Sequence, residues 1–487
     1  MVLRNSRRGV AATVAFAFLG LLVAAAPAAA TSFDPEAKIL PFTTGDGARE
    51  DFFGWSVAVS SDRAAFGVPF DSIGARSSRG SVYVFRLVGS SWQLETKLSG
   101  DDSIGAMFGS GVAFAGTSLV VGAPGEAGRS GMVYVFDRGA NGWAESARIV
   151  PGDSLDERGF GYEVAASGNR IVVGSGGYDF PSSICSYTNH AHSYERTGSS
   201  WVDSGLIVAP ASAVDACFGS RVAIDGDRAL VAASAEASAS GSGAAYTFTR
   251  AGNAWALEQR LAPSGTNNAA QFGNSVAISG NVLAVGAPAS PQGRAYVFTR
   301  TTGPWAQSAA VGDAAGPTND RFGDAVAVAG GRVFVGAPYA DAAGAVWVYG
   351  PSGSTWVRTA IATRSDPRDR GSLGYTVAAS GDRLVAGRYT GSPEGDRYQG
   401  GALAFERQST SWVLRNSLDA GAGAAYFGFG ASLDLDGERL AIGSPSMRTK
   451  FFGGDIEAAG YADIHERNGG SWQRVAHLTP PAGQSFK

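Results

Sequence analysis

The sequence predicts an all-β protein, a ring of eight four-stranded sheets, on three observations. A Phe-Gly pair, Leu-Gly in one copy, is answered fourteen residues later by Gly-Ala-Pro or a worn copy of it, eight times along the chain. The copies recur every 50 to 58 residues, and periods of this length mark sheets repeated around a ring. Among 487 residues, 69 glycines, 26 Phe and 10 Trp suit many short strands joined by tight turns, and helical periodicity is essentially missing.

The pairs are Phe53-Gly54, Phe108-Gly109, Phe160-Gly161, Phe218-Gly219, Phe272-Gly273, Phe322-Gly323, Leu373-Gly374 and Phe429-Gly430. The triplets begin at Gly67, Gly122, Gly174, Ala232, Gly286, Gly336, Gly387 and Gly443. Each repeat reads as four strands by two-residue alternation and turn signals. Strand A follows Phe-Gly, as in Ser56 to Val59, and strand B leads into the triplet, as in Leu119 to Val121. Strand C is β-branched and aromatic, as in Val82-Tyr83-Val84-Phe85, and strand D runs from a Trp to an aliphatic residue, as in Trp92 to Leu98. Between A and B, Ser167-Gly168-Asn169, Ser279-Gly280-Asn281 and Ser380-Gly381-Asp382 suit two-residue hairpins in which Gly supplies a positive φ.

Constancy of spacing separates scaffold from variable surface. The aromatic end of strand C lies seven residues before the strand D Trp in every repeat, from Phe85 to Trp92 through His465 to Trp472. Only the B-to-C stretch changes much, from twelve residues between Gly286 and Phe298 to twenty-two between Gly443 and His465. In a four-stranded meander the B-to-C and D-to-A connections leave on one side, so length variation collects on one face.

The first thirty residues read as a secretory signal: Arg4, Arg7 and Arg8, an apolar stretch from Val10 to Ala26, and a small-residue site at Ala28-Ala29-Ala30. Residues 31–52 form an N-terminal segment, 53–479 the ring and 480–487 a tail. Phe33 to Ile39 copies the strand D spacing, so a strand is expected near 33–40, while the regularly spaced Trp472 to Leu478 is expected to complete the last sheet. No later apolar run is long enough to span a bilayer. Net charge is -4 with the signs interspersed, which argues against a nucleic-acid partner.

The repeated Phe-Gly and Gly-Ala-Pro resemble the FG-GAP repeat of integrin alpha-chain propellers and of many secreted bacterial proteins, over about residues 53–479. The resemblance implies a β-propeller of four-stranded antiparallel blades, eight if each copy is one blade, or seven with a peripheral repeat. The Phe and Trp positions then pack between blades. The family's calcium loop of the Asp-x-Asp-x-Asp-Gly kind is not matched: the A-to-B link is too short to gather six to eight oxygens. Asp436-Gly437-Glu438 and Asp225-Gly226-Asp227 fit hairpin turns instead, and Asp101 and Asp320, ahead of Phe-Gly pairs, are expected to satisfy turn backbone. No metal or other cofactor is expected.

Cys185 and Cys217 fall on the same face of adjacent blades in an oxidising compartment, which favours a disulfide. A metal site of Cys185, His190, His192 and Cys217 is the competing reading. His192 and His465 occupy strand C aromatic positions, His477 lies in the last strand D, and no nucleophile elbow or phosphate loop is present. An enzyme is therefore not the expectation.

Recognition remains, and the long B-to-C segments say where. Repeats seven, eight and one are neighbours in a closed ring and offer Asp71, Arg76, Arg388, Tyr389, Arg397, Tyr398, Arg448, Lys450, Phe451 and Phe452; repeat three adds Tyr178, Phe180 and Tyr187. Aromatic residues with arginine suit binding surfaces. The expectation is a monomeric secreted, periplasmic or cell-surface binding module for a protein or glycan, acting in adhesion or assembly. The alternative is a polysaccharide-active hydrolase or lyase with carboxylates on the variable face. An exported structural scaffold is a third reading.

Overall fold

In the computed structural model, residues 52–478 are described except for 73–77, 90, 102, 152–158, 176–189, 209, 211–216, 239–240, 253, 265–270, 290–292, 313–319, 341–342, 363–371, 389–399, 410, 420–427 and 446–459. The expected N-terminal strand near 33–40 lies outside them. The chain forms eight four-stranded antiparallel sheets, each a meander of strands consecutive in sequence. Blade 1 comprises strands A (Ser56–Val59), B (Arg63–Val68), C (Ser81–Val88) and D (Ser91–Leu98). Blades 2 to 7 follow over 112–149, 163–207, 218–261, 275–311, 326–362 and 373–419. Blade 8 comprises A (Ser432–Asp436), B (Arg439–Ser444), C (Tyr461–Asn468) and D (Ser471–Leu478). Eight blades form one propeller, and the seven-blade alternative is excluded. Among the described residues no helix is long and apolar enough to cross a membrane.

The A-to-B links are the hairpins that the turn residues require. Ser167 pairs with Arg170 across Gly168-Asn169, and Gly168 sits at φ +60°. Gly226 and Gly437 take the same conformation, so the Asp-Gly sequences there are turns. Gly280 N–H in turn donates to Asp225 Oδ2 of the preceding blade at 2.6 Å. Asp320 Oδ1 accepts the Phe322 N–H at 2.9 Å, the turn role expected of it; Asp101 instead spends its carboxylate on Arg148.

The core is distributed over the seams between blades. Ala65, Val84 and Leu98 of blade 1 pack with Phe108, Phe114, Leu119 and Tyr134 of blade 2 in one buried cluster, with Trp143 against it. Burial of each such large side chain contributes roughly 1.5–3 kcal/mol. The glycines set the spacing. A Cβ on Gly67, Gly122, Gly174, Gly286, Gly336 or Gly387 would overlap the carbonyl oxygen of the Phe-Gly glycine in the following blade. The two halves of the repeat thus meet across a seam, one blade's triplet against the next blade's pair.

The last seam joins chain ends in the same way. Gly443 packs on Gly54, Ser432 Oγ donates to the Gly54 carbonyl at 2.6 Å, and Val59 N–H donates to Asp434 Oδ2 at 2.7 Å. Trp472, buried in strand D of blade 8, completes that sheet as expected.

The face bearing the constant links is tied by ion pairs between neighbours. Arg138 of blade 2 meets Glu95 of blade 1 at 2.8 Å, Arg196 of blade 3 meets Asp137 of blade 2 at 2.7 Å, and Arg467 of blade 8 meets Glu406 of blade 7 at 2.5 Å. Arg250 pairs with Glu195 and Arg300 with Glu258 across two further seams. Each of these arginines stands two residues after the last aromatic or imidazole of strand C.

Candidate functional site

On the opposite face, strand B ends and strand C begins, and three blades fix the root of the B-to-C connection with one set of groups. An acid stands four residues after the first position of the triplet, at Asp71, Glu126 and Glu236. A tyrosine comes from strand C and a cation from the residue before the last aliphatic of strand D. In blade 1, Asp71 Oδ2 lies 2.8 Å from Lys97 Nζ and accepts from Ser81 Oγ at 2.5 Å, while Lys97 stands over the Tyr83 ring at 4.9 Å. In blade 2, Glu126 accepts from Tyr134 Oη at 3.2 Å and from Ser103 Oγ at 3.0 Å. Arg148 covers that tyrosine ring at 5.4 Å. Blade 4 repeats the set with Glu236, Tyr246 and Arg260, whose Nη2 donates to Glu236 Oε1 at 2.6 Å.

Burial dominates the electrostatics of the blade 2 set. It pushes Glu126 above the usual carboxylate range against the hydrogen bonds of Ser103 and Tyr134. It also pushes the Tyr134 hydroxyl up to about 12. Asp71, Glu126 and Glu236 are thus engaged and enclosed at the roots of the B-to-C connections.

Two residues expected in the exposed patch are therefore corrected. Asp71 is 1% exposed because Lys97 and Ser81 draw it inward. Arg388 is also 1% exposed; its guanidinium lies over Gly401, which has no side chain to displace it, and Nη2 donates to the Gly400 carbonyl at 3.4 Å. Arg76, Tyr178, Phe180, Tyr187, Tyr389, Arg397, Tyr398, Arg448, Lys450, Phe451 and Phe452 lie outside the described residues, as does Cys185. Cys217 is buried beside Phe218 and takes φ +57°, the left-handed conformation shared by Phe52, Met107, Gln271 and Arg321 ahead of their own Phe-Gly pairs.

His190 and His192 are buried. His192 meets Phe160 edge-on at 5.2 Å, as Tyr134 meets Phe108 at 5.2 Å, which is the packing role of a strand C aromatic. Among the described residues no group of three or more His, Cys, Asp or Glu is arranged to hold a metal ion.

The described part of the variable face also carries a cluster that sequence reasoning missed. Phe52, Trp55 and Phe70 of blade 1 are half-buried and enclose one another, with centroids 6.0 Å, 5.0 Å and 5.6 Å apart. At the same three positions blade 6 has Arg321, Asp324 and Tyr339, with a 2.6 Å ion pair between the first two. The scaffold thus does not require aromatics here. The available signal was a departure from the repeat at positions flanking Phe-Gly and the triplet.

A family model for the FG-GAP repeat matches residues 35–85, 92–136, 143–184, 201–248 and 255–298. No curated protein matches the chain. A crystal structure of Saccharomyces cerevisiae Sqt1 is similar at 9% identity with a TM-score of 0.49, covering 91% of this chain and 99% of that one. Four of the five matched units begin at a strand D Trp and run towards the next strand C, so the chain carries FG-GAP repeats within its eight-bladed propeller.

Proposed function

We propose that this protein is a secreted or cell-surface binding propeller, integrin alpha-like in its repeats, that recognises a protein or glycan partner through the B-to-C face in adhesion or assembly. The observation that carries the reading is the division of labour between the two faces. One is held by short hairpins and ion pairs between neighbouring blades, while the other concentrates length variation and an aromatic cluster. An FG-GAP propeller suits an interaction module, and the apolar leader with its small-residue site supports export. A Cys185–Cys217 bond would then tie adjacent blades beneath the same face.

The test is capture of partners from cell-surface extracts by the mature chain, with and without a chelator. Replacing Tyr389, Tyr398, Phe451 and Phe452 together by Ala is expected to abolish capture without lowering the melting temperature. Capture that survives the substitution overturns the proposal. Turnover of a glycan that vanishes when acids of this face are neutralised would support a polysaccharide-active enzyme instead.

A further inference from the structure

Blade 8 departs from its own repeat at two core positions. In blades 1, 2, 4 and 5 strand C buries a Tyr and a Phe there: Tyr83 and Phe85, Tyr134 and Phe136, Tyr246 and Phe248, Tyr296 and Phe298. Blade 8 has Asp463 and His465, 0% and 3% exposed. Burying a carboxylate and an imidazole is unfavourable unless partners are supplied, and such departures from a local pattern concentrate at functional sites.

The partners come from strand D. Asp463 Oδ1 lies 2.6 Å from His477 Nδ1, and Oδ2 lies 3.4 Å from Arg474 Nη1. Three residues apart on a regular strand, Arg474 and His477 would point to opposite sides. A bulge at Val475 changes this: Arg474 pairs with His465, Ala476 with Ile464 and His477 with Asp463, so both face the same way. His465 adds an unsatisfied group, since both of its ring nitrogens are buried without a hydrogen bond. Burial pulls its pKa down to about 4, so it is neutral near pH 7.

What the cluster offers to solvent is specific. Arg474 and His477 each keep a third of the side chain exposed, whereas His190, His192 and His465 are no more than 6% exposed. A neutral His477 that gives its Nδ1–H to Asp463 keeps Nε2 as an acceptor on the side away from that carboxylate. Arg474 has Nε and Nη2 without a partner among the described residues. Tyr461, half-buried, packs its ring on the imidazole at 5.0 Å. A guanidinium fork, an oriented acceptor and an aromatic ring stand together at the end of strand D, on the face proposed above for recognition.

We propose that Tyr461, Arg474 and His477 form a subsite for a uronate residue of an acidic glycan. The fork takes the sugar carboxylate in the two-point geometry that guanidinium favours. His477 Nε2 accepts from a neighbouring hydroxyl, while Tyr461, stacked on Phe429 at 5.6 Å, backs the imidazole. The inference rests on the recognition reading and narrows its ligand from protein or glycan to a glycan bearing carboxylates.

The experiment is a titration of the mature chain with a galacturonate trisaccharide and with its neutral galactose counterpart, read by calorimetry and by the imidazole signals in NMR. The uronate is expected to bind and shift the His477 resonances, with the neutral sugar at least tenfold weaker. Arg474→Gln is expected to weaken uronate binding about tenfold or more, the scale of a hydrogen bond to a charged group. His477→Ala weakens it similarly, and His477→Gln, which keeps an acceptor, recovers part of the loss. Melting curves of each variant show whether the fold is intact. No binding of the uronate, equal binding of the neutral sugar, or folded variants that bind like the parent chain would each overturn the subsite. If uronate binding fails while partner capture still depends on the four aromatics, the subsite alone falls. If capture ignores the aromatics while uronate binds, the broader patch falls and the subsite stands.

Discussion

Gly122 shows what a single residue of the repeat is for. Its backbone is not left-handed; what it needs is room, because a Cβ would overlap the Gly161 carbonyl of the next blade. Gly168 is the opposite case, with φ +60° and nothing within 4 Å of where a Cβ would sit. Gly122→Ala is therefore expected to cost about 3 kcal/mol by overpacking a seam, and Gly168→Ala about 1 kcal/mol for its left-handed backbone. Urea unfolding of the two variants checks the ranking, and equal costs would contradict it. Glu95 carries a different lesson at the same scale. Burial works to raise its pKa, but hydrogen bonds from Arg63, Trp143 and Arg138 outweigh burial and hold the carboxyl at about 2, below its ordinary 4.5. A depressed acid contributes stability that is fully present above pH 4.5 and is lost as pH falls through 2. Glu95→Gln should flatten the fall of melting temperature across that window, measurable by calorimetry between pH 5 and pH 2.

At the scale of the element, strand D shows where sequence stops speaking. The Trp-to-aliphatic spacing places the strand correctly, as Trp92 to Leu98 shows against Ser91–Leu98. The bulge inside it leaves no mark in the spacing, since every copy has it: the register shifts between Val84 and Phe85, Val135 and Phe136, and Ile464 and His465 alike. That hidden residue decides which side chains share a face. In blade 1 it is Glu95, which reaches Arg138 of blade 2, and in blade 8 it is Val475, which brings Arg474 and His477 to one side. Repeats and hairpins were legible because they depend on Gly and aromatic identity at fixed intervals. The exposure of Asp71 and Arg388 was not, because spacing assigns a residue to a loop root without saying whether its side chain turns back onto Lys97 or Gly401. His465 was legible as a strand C position but not as a neutral, enclosed imidazole. Since burial depresses its pKa from 6.5 to about 4, the enclosed imidazole carries no charge penalty above pH 6.5 and destabilises the fold increasingly as pH falls from 6.5 towards 4. His465→Phe restores the residue found at Phe85, Phe136 and Phe298. It is expected to reduce the decline of melting temperature between pH 6.5 and pH 4, and an unchanged slope would show that another group governs it.

For the whole molecule, the decisive property is that the seam between the last and first blades copies the other seams. Ser432 Oγ donates to the Gly54 carbonyl 378 residues away at 2.6 Å, as Ser56 Oγ donates to Gly109 and Ser275 Oγ to Gly323, at 2.8 Å and 2.9 Å. Phe53 bridges Gly460 as Phe108 bridges Gly80. No described strand from the N-terminus enters blade 8, whose four strands are consecutive, so closure rests on side-by-side packing of two complete blades. Asp434 adds a contact of its own, because strand A carries Ala58, Ala113, Ala165 or Ala277 at this position elsewhere, and its carboxylate accepts the Val59 N–H. A closed ring has no privileged seam, which gives a test that an open stack of blades fails. Gly443→Ala and Gly336→Ala both drive a Cβ into a carbonyl, of Gly54 in the first case and of Gly374 in the second. In a ring both cost about 3 kcal/mol by the same overpacking, and both lower one cooperative unfolding transition. In an open stack Gly443 faces solvent, and its substitution leaves the urea midpoint unchanged while Gly336→Ala still lowers it.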